Sequence, residues 1–403
     1  MRILFLLPQL EKGGGQVIQA LELAKFLKKN NHSVIIISDR SKKVSKDGLE
    51  YLKYLDIHLV GKKSYNYLLL IRYVSLFFAF LKVFRKKRID LIQIFDPHLG
   101  GLIGTLIKKI FEIPLVIRIG AKYNEYYENK IEKMNLIFRN QIFKEIFHIL
   151  LEKFEMMSLK NSDIIISNCQ FIKKYILSKG YIQNHKKVRV IPSGVSLNYY
   201  KSDGIQNKEK IRENRYLLYV GRIVYYKGLN TLIDAFKRVL SNYKTLKLIL
   251  IGSTEINEKY FKKLKEKIEI DGLEKHIIFK GSVPHNDVYH YLKNAEVLIL
   301  PSIKGIYSIE EGLPNVILEA FKMKCPVIAS NIGGINEIIK DKETGLLIEP
   351  SNTTQLVNKI LLLLKNDDLR GKIIKNARQY LLQNRNINTI YKEYLKIYKK
   401  LTS

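Results

Sequence analysis

The chain has few cysteines, few acidic residues relative to basic ones, and no uninterrupted apolar run long enough to span a membrane. Cys169 and Cys325 are its only cysteines in 403 residues. A pair so far apart supplies neither a metal-ligand spacing nor a disulfide framework, so a reducing, cytoplasmic setting is expected. The apolar start Met1–Pro8 is too short for a secretory signal and reads as a first buried strand. Tyr67–Phe84 approaches membrane-span length, but Arg72 and Lys82 interrupt it, which argues against a spanning helix. Acid is scarce: 38 Asp and Glu stand against 69 Lys and Arg, so 69 − 38 leaves +31. That balance calls for an anionic partner, whether nucleic acid, an acidic lipid surface or an anionic substrate. Lys, Ile, Asn and Tyr are abundant while Ala is scarce, a bias that an A/T-rich genome produces without selection for charge. No internal repeat or low-complexity tract is present, and the length predicts two domains.

What is present is a regular α/β alternation. Strand-like Ile3–Leu7 leads into Lys12-Gly13-Gly14-Gly15, a helical pattern from Val17 to Leu27 and a second apolar run, Val34–Ser38. Strand, glycine loop, helix and strand open a doubly wound parallel sheet, and the glycines let a ligand approach the backbone at the carboxyl end of the strand. Tight packing alone can also require them. Further strands are expected at Ile89–Phe95, Leu115–Gly120, Asp163–Asn168 and Val188–Val195. A polar linker, Lys201–Arg215, follows, and the pattern restarts at Tyr216–Val220, Leu246–Gly252, His276–Gly281, Val297–Pro301 and Thr344–Pro350. The expected fold class is α/β, with a first domain over 1–200, a second over 201–385 and a C-terminal helix over 386–403.

Polar residues at the ends of parallel strands stand where such sheets bind ligands. His98, after Ile89–Phe95, and Arg118 are therefore site candidates, with a satisfied structural role as the alternative. In the second half, Gly221–Gly228 is a glycine-punctuated basic loop between a strand and a helix, suited to a diphosphate. Arg222 can bind it bidentately and Lys227 supplies a point charge. In Glu311-Gly312-Leu313-Pro314-Asn315-Val316-Ile317-Leu318-Glu319-Ala320 a loop ends at Gly312-Leu313-Pro314, Asn315 is the expected N-cap, and a helix begins at Val316. Glu311 and Glu319 flank that helix N-terminus, whose N–H groups and dipole favour phosphate. Acceptor side chains around an anion site suit a phosphate-bearing polyol such as a nucleotide sugar. A solvated Glu pair is the plainer reading of the spacing by itself.

With Pro301-Ser302 before it and Cys325-Pro326-Val327-Ile328-Ala329-Ser330-Asn331-Ile332-Gly333-Gly334-Ile335-Asn336-Glu337 after it, this segment resembles the donor site of retaining glycosyltransferase family 4, where two glutamates stand with seven residues between them. Val220-Gly221-Arg222 with Lys227-Gly228, and Ile191-Pro192-Ser193-Gly194-Val195, also resemble family segments. The resemblance is sharp from Val220 to Pro350 and diffuse between Ser41 and Lys160. It implies the GT-B fold, two Rossmann-like domains facing each other across a cleft, with the last helix crossing back to the first domain. It implies transfer of a sugar, with retention, from a UDP- or GDP-linked donor to a glycan or lipid-linked acceptor in capsule or lipopolysaccharide assembly. On this reading Glu311 meets the transferred sugar and Glu319 the ribose. Arg222 and Lys227 meet the diphosphate, Ser282 and Val283 the base, and Gly13, Gly14 and Gly15 the donor phosphate and acceptor. Gly312, Leu313, Pro314, Asn315 and Val316 complete the donor set. The chain departs from the family at Gly120, where many members carry a histidine, and Arg118, Lys122 and His98 are the nearby substitutes.

No Asp-x-Asp pair occurs in the sequence, so the metal motif of the other main transferase fold is missing, and neither metal nor cofactor is expected. A sugar phosphorylase or nucleotide-sugar epimerase of the same architecture is the first alternative. A basic nucleic-acid-binding protein is the second, but no recognised nucleic-acid module is present. Two stretches have membrane-surface character: Tyr67–Arg88, ending in Arg85-Lys86-Lys87-Arg88, and Ile131–Leu159, with apolar residues at helical spacing beside lysines. Core-facing amphipathic helices are the alternative. A peripheral position at the cytoplasmic face of an anionic membrane is the expectation.

Overall fold

A computed structural model describes residues 1–7, 15–39, 55–60, 69–121, 141–197, 215–254, 257–304 and 312–403, with backbone alone at 39, 69–74 and 141–144. Gly13, Gly14, Lys122, Glu311, nearly all of the 201–215 linker and the apolar positions from Ile131 to Phe138 lie outside the described residues. The chain forms two compact units, Met1–Ser193 with Asn388–Ser403, and Gly194–Ile387.

Among the described residues, unit 1 is built on seven strands: β1 Arg2–Leu7, β2 Ser33–Asp39, β3 Asp56–Val60, β4 Leu91–Ile94, β5 Leu115–Ile119, β6 Ile164–Ser167 and β7 Val188–Val190. Their order is β3-β2-β1-β4-β5-β6-β7, with every pairing parallel. Its described helices include α1 Gly15–Lys29, α2 Leu69–Phe84, α3 Leu99–Phe111, α4 Gln141–Asn161 and α5 Gln170–Ser178. Ile3–Leu7, Leu91–Ile94 and Leu115–Ile119 are buried throughout. Helices on both faces of a parallel sheet leave no solvent side, which is why these strands read as continuous apolar runs. Strand β3 was not expected. It is a half-exposed edge strand containing Asp56 and His58, and an edge needs no continuous apolar run.

Unit 2 repeats the plan with β8 Tyr216–Val220, β9 Lys247–Ile251, β10 Ile277–Gly281, β11 Val297–Leu300, β12 Val327–Ser330 and β13 Leu346–Ile348, in the order β10-β9-β8-β11-β12-β13. Its helices are α6 Leu229–Leu240, α7 Glu258–Ile270, α8 His285–Asn294, α9 Asn315–Met323, α10 Thr353–Lys365 and α11 Asp367–Asn384.

The last helix, α12, spans Ile387–Thr402. Tyr391, Tyr394 and Tyr398 fall on one stripe at i, i+3 and i+7, and all three are buried in unit 1. Each hydroxyl has a partner there. Tyr391 donates to the Gln19 carbonyl at 2.9 Å, Tyr394 accepts from Arg118 Nε at 2.8 Å, and Tyr398 donates to Gln93 Oε1 at 2.8 Å. A buried tyrosine supplies large apolar area, and a satisfied hydroxyl fixes its register. Among the described residues no helix is long and apolar enough to cross a membrane.

Candidate active site

In unit 2 the winding direction reverses between β8 and β11, and ligands of open α/β sheets bind beyond the strand ends at such a point. The loop after β8 is Gly221–Gly228. Its Gly221 N–H donates to the Ile251 carbonyl at 2.9 Å. Opposite it, Gly252 has φ +152°, and a Cβ there would lie 1.7 Å from the Gly221 carbonyl oxygen. Further along, Tyr226 is buried with Val224 against Ile303. Its hydroxyl accepts a hydrogen bond from Arg222 Nη2. Its ring lies 5.6 Å from the Arg222 guanidinium and 5.3 Å from Lys227 Nζ, both within cation–π range. One aromatic pedestal thus orients both cations.

The pedestal is tied to the loop after β11. The Ile303 N–H donates to the Tyr226 carbonyl at 2.8 Å. Gly228 has φ +70°, and a Cβ there would lie 1.9 Å from the Pro301 carbonyl oxygen. Glycine is required here both by conformation and by the close approach. Gly312 and Leu313 are buried, and the Gly312 carbonyl accepts from the Gly334 N–H at 3.1 Å.

Asn315 is not the N-cap of α9. Pro314 occupies that position in extended conformation, with no side-chain cap hydrogen bond, and Asn315 is the first helical residue. Its Oδ1 is buried without a hydrogen-bond partner. Proline's fixed φ and missing N–H suit it to close the loop, and the orphan N–H groups that follow can serve an anion.

Glu319 is buried, and its Oε1 lies 2.9 Å from His285 Nε2. His285 opens α8 and packs edge-on against Tyr289, with centroids 5.0 Å apart. Tyr289 in turn lies beneath Lys322 Nζ at 4.7 Å. Sequence reasoning missed His285, although a histidine at a helix start directly after Ser282-Val283-Pro284 was a usable signal. Ser282 is exposed and Val283 is half-buried. Arg222, Lys227, Ser282, Val283, Gly312–Val316 and Glu319 thus all follow the carboxyl ends of strands β8, β10 and β11 of one sheet.

The unit 1 candidates lie differently. Gly15 is the first residue of α1, and Gln16 Nε2 donates to the Phe95 carbonyl at 2.5 Å, tying α1 to the end of β4. His98 is only 1% exposed. Asp96 accepts from the His98 N–H at 3.1 Å and the Gly100 N–H at 3.2 Å, and its Oδ1 lies 3.3 Å from His98 Nδ1. Burial alone would raise the Asp96 carboxyl, but His98 and these N–H groups hold it below the usual range. Arg118 is also buried, donating to Tyr394 and, at 3.1 Å, to Ser193 Oγ. Both side chains are thus buried and held by these partners within unit 1. At Gly120 a Cβ would lie 3.6 Å from Asn168 Nδ2 and 3.8 Å from Arg118 Nη1, so a side chain is tolerated there. Asn168 Nδ2 donates to the Gly120 carbonyl at 3.0 Å, while its Oδ1 is buried without a partner. Among the described residues no cluster of three or more His, Cys, Asp or Glu could hold a metal ion.

Residues 13–199 match the model described as Glycosyltransferase Family 4, and residues 202–380 match Glycosyl transferases group 1. The chain belongs to this family of glycosyltransferases and has the GT-B fold. Among its relatives is the capsular polysaccharide biosynthesis glycosyltransferase CapM of Staphylococcus aureus, 26% identical over 375 residues, covering 88% of this chain and 86% of that one. An uncharacterized glycosyltransferase of Methanocaldococcus jannaschii is 25% identical over 406 residues, covering 96% of this chain and 94% of that one. The crystal structure of Anabaena HepE in complex with UDP and glucose superposes with a TM-score of 0.79 at 19% identity over 99% of each chain.

Proposed function

We propose that the protein is a retaining, metal-independent hexosyltransferase using a UDP- or GDP-linked sugar. Its acceptor is a glycan or lipid-linked glycan of a capsule- or lipopolysaccharide-type surface polymer, reached at the cytoplasmic face of an anionic membrane. The observation that carries the donor assignment is the Tyr226 pedestal, which orients Arg222 and Lys227 in the loop after β8, at the switch point. The capsular assignment of CapM supports the acceptor class, and HepE's UDP supports the donor class.

The chemistry demands stabilisation of a departing nucleoside diphosphate as positive charge develops at the anomeric carbon. Arg222 neutralises phosphate oxygens bidentately, Lys227 adds a point charge, and the N–H groups after Pro314 supply dipole and donors. Two cations and a helix end then perform the charge neutralisation for which other transferases use a metal. Glu319, oriented by His285, accepts from the ribose hydroxyls, Ser282 and Val283 border the base, and Glu311 holds the transferred sugar. Gly13, Gly14 and Gly15 meet the donor phosphate and the acceptor. With no protein nucleophile assigned, retention proceeds by attack on the face the diphosphate leaves.

Proton NMR of the first product formed from an α-linked nucleotide sugar tests this reading. An α-configured product is expected, whereas a β-configured first product overturns the retaining assignment.

A further inference from the structure

The described residues include ten large hydrophobic side chains that are strongly exposed, and seven of them lie on three neighbouring helices of unit 1. They are Phe78 on α2, Leu106 and Ile110 on α3, and Ile146, Ile149, Leu150 and Met157 on α4. Right-handed crossovers place these helices on one face of the sheet, opposite α1, because the winding reverses between β3 and β4. They pack side by side. Phe80 and Phe84 of α2 meet the Phe111 ring of α3 at 5.2 and 4.6 Å, and Leu99 of α3 clusters with Leu151, Phe147 and Phe154 of α4. The inward stripes are thus satisfied, and the outward stripes carry a second apolar set that no core requires.

Basic residues are interleaved with that set. Lys82, Arg85, Lys86, Lys109, Lys153 and Lys160 are exposed on the same three helices or at their ends, with Glu112 and Glu145 as the exposed acids. On α4, Ile146, Ile149, Leu150, Lys153, Met157 and Lys160 recur at three- and four-residue steps, a single stripe. Of the cation run expected at 85–88, Lys87 is engaged by Asp56 at 2.7 Å.

We infer that the outer face of α2, α3 and α4 is the surface that docks on an anionic lipid bilayer, with Lys and Arg at the headgroups and Ile, Leu, Met and Phe in the acyl boundary. This deepens the proposed peripheral location by naming the face responsible. Contiguous exposed apolar surface marks an interaction site, and positive charge beside it selects an acidic leaflet. A nucleic acid would use cations and stacking rings, and it gives aliphatic Ile146, Ile149 and Leu150 nothing to contact. A second copy of a chain carrying +31 would bring like charges together at this face.

The full chain is sedimented with phosphatidylcholine vesicles containing about three parts in ten phosphatidylglycerol, at low and high salt. Binding is expected to phosphatidylglycerol vesicles and not to pure phosphatidylcholine. Each cation near an acidic leaflet contributes about fivefold in partitioning. Lys109→Glu with Lys153→Glu and Lys160→Glu is therefore expected to lower partitioning at least tenfold. Ile110→Ser with Ile149→Ser and Met157→Ser removes the part that survives high salt. Lys259→Glu with Lys263→Glu and Lys293→Glu, exposed residues of unit 2, makes the same change in net charge and is expected to leave partitioning within about twofold. These positions are exposed, so folding is retained, and circular dichroism verifies it. An equal loss in the unit 2 control, no wild-type binding at low salt, or gel filtration showing a dimer that the serine variant dissociates would overturn the assignment. Binding of UDP and GDP is measured in parallel. Its absence in the wild type would refute the donor reading while leaving the vesicle result to decide the docking face.

Discussion

Arg222→Ala is the perturbation whose effect follows most directly from the geometry. The guanidinium is oriented before any ligand arrives, by the Tyr226 hydroxyl and by a ring 5.6 Å away, so little side-chain freedom is lost on binding. A hydrogen bond to a charged partner contributes about 1.5–3 kcal/mol, which is about 10- to 150-fold in Kd. Tyr226→Phe keeps the ring, the cation and the packing on Ile303, and removes only the orienting bond. A loss of about 0.5–1.5 kcal/mol, or about 2- to 10-fold, is expected. Calorimetric titration with UDP and GDP, and with uridine and guanosine, separates diphosphate recognition from base recognition. Both variants should weaken the diphosphates in the stated order and leave the nucleosides unchanged. If Arg222→Ala weakened nucleoside and diphosphate equally, or neither, the pedestal would not be a diphosphate site.

Three further changes test neighbouring parts of the account. Glu319→Ala should weaken UDP or GDP about 10- to 150-fold. His285→Ala should reproduce part of that loss for ribonucleotides and none for a 2′,3′-dideoxy nucleotide, on which an equal loss would make the pair merely structural. Gly228→Ala sets a Cβ against the Pro301 carbonyl in a left-handed conformation, so a lowered Tm and loss of diphosphate binding are expected together, and an unchanged Tm would refute the close approach. Glu155 is 1% exposed, and burial pushes its carboxyl above the ordinary 4.5 against the opposing pull of His98 and Lys179. From about pH 4.5 up to the raised value the folded state holds more protons than the unfolded one, so this group's contribution to stability falls as pH rises. Glu155→Gln removes that slope, and thermal melts from about pH 4 to 7 should show the variant gaining on the wild type. A pH-independent difference would contradict the assignment.

The two-sheet architecture was legible because buried parallel strands must be nearly all apolar, and runs such as Ile3–Leu7 and Leu298–Leu300 leave little choice. The edge strand β3 was not legible for the converse reason. The loop after β8 was readable as a glycine-punctuated basic turn, and Gly228 has the positive φ that such a turn uses. The Tyr226 pedestal was not, since nothing local distinguishes a core tyrosine from a surface one. His285 meets Glu319 across 34 positions of sequence, and such a contact is created only by the sheet order. Asn315 was misplaced by one residue, because its strong capping propensity was outweighed by a proline that already fitted the cap. His98 and Arg118 were found as polar residues at strand ends, but their enclosure by Asp96 and by Tyr394 with Ser193 depends on packing partners as distant as α12.

The central claim is that two oriented cations and a helix end carry the leaving diphosphate. Its most direct measurement is the release of UDP or GDP from a panel of UDP- and GDP-sugars in EDTA, by wild type and by the Arg222→Ala and Lys227→Ala variants. The account predicts release from at least one donor, undiminished by EDTA and reduced about 10- to 1000-fold by either substitution. Release that requires Mg²⁺, or that persists at the wild-type rate without both cations, would contradict it.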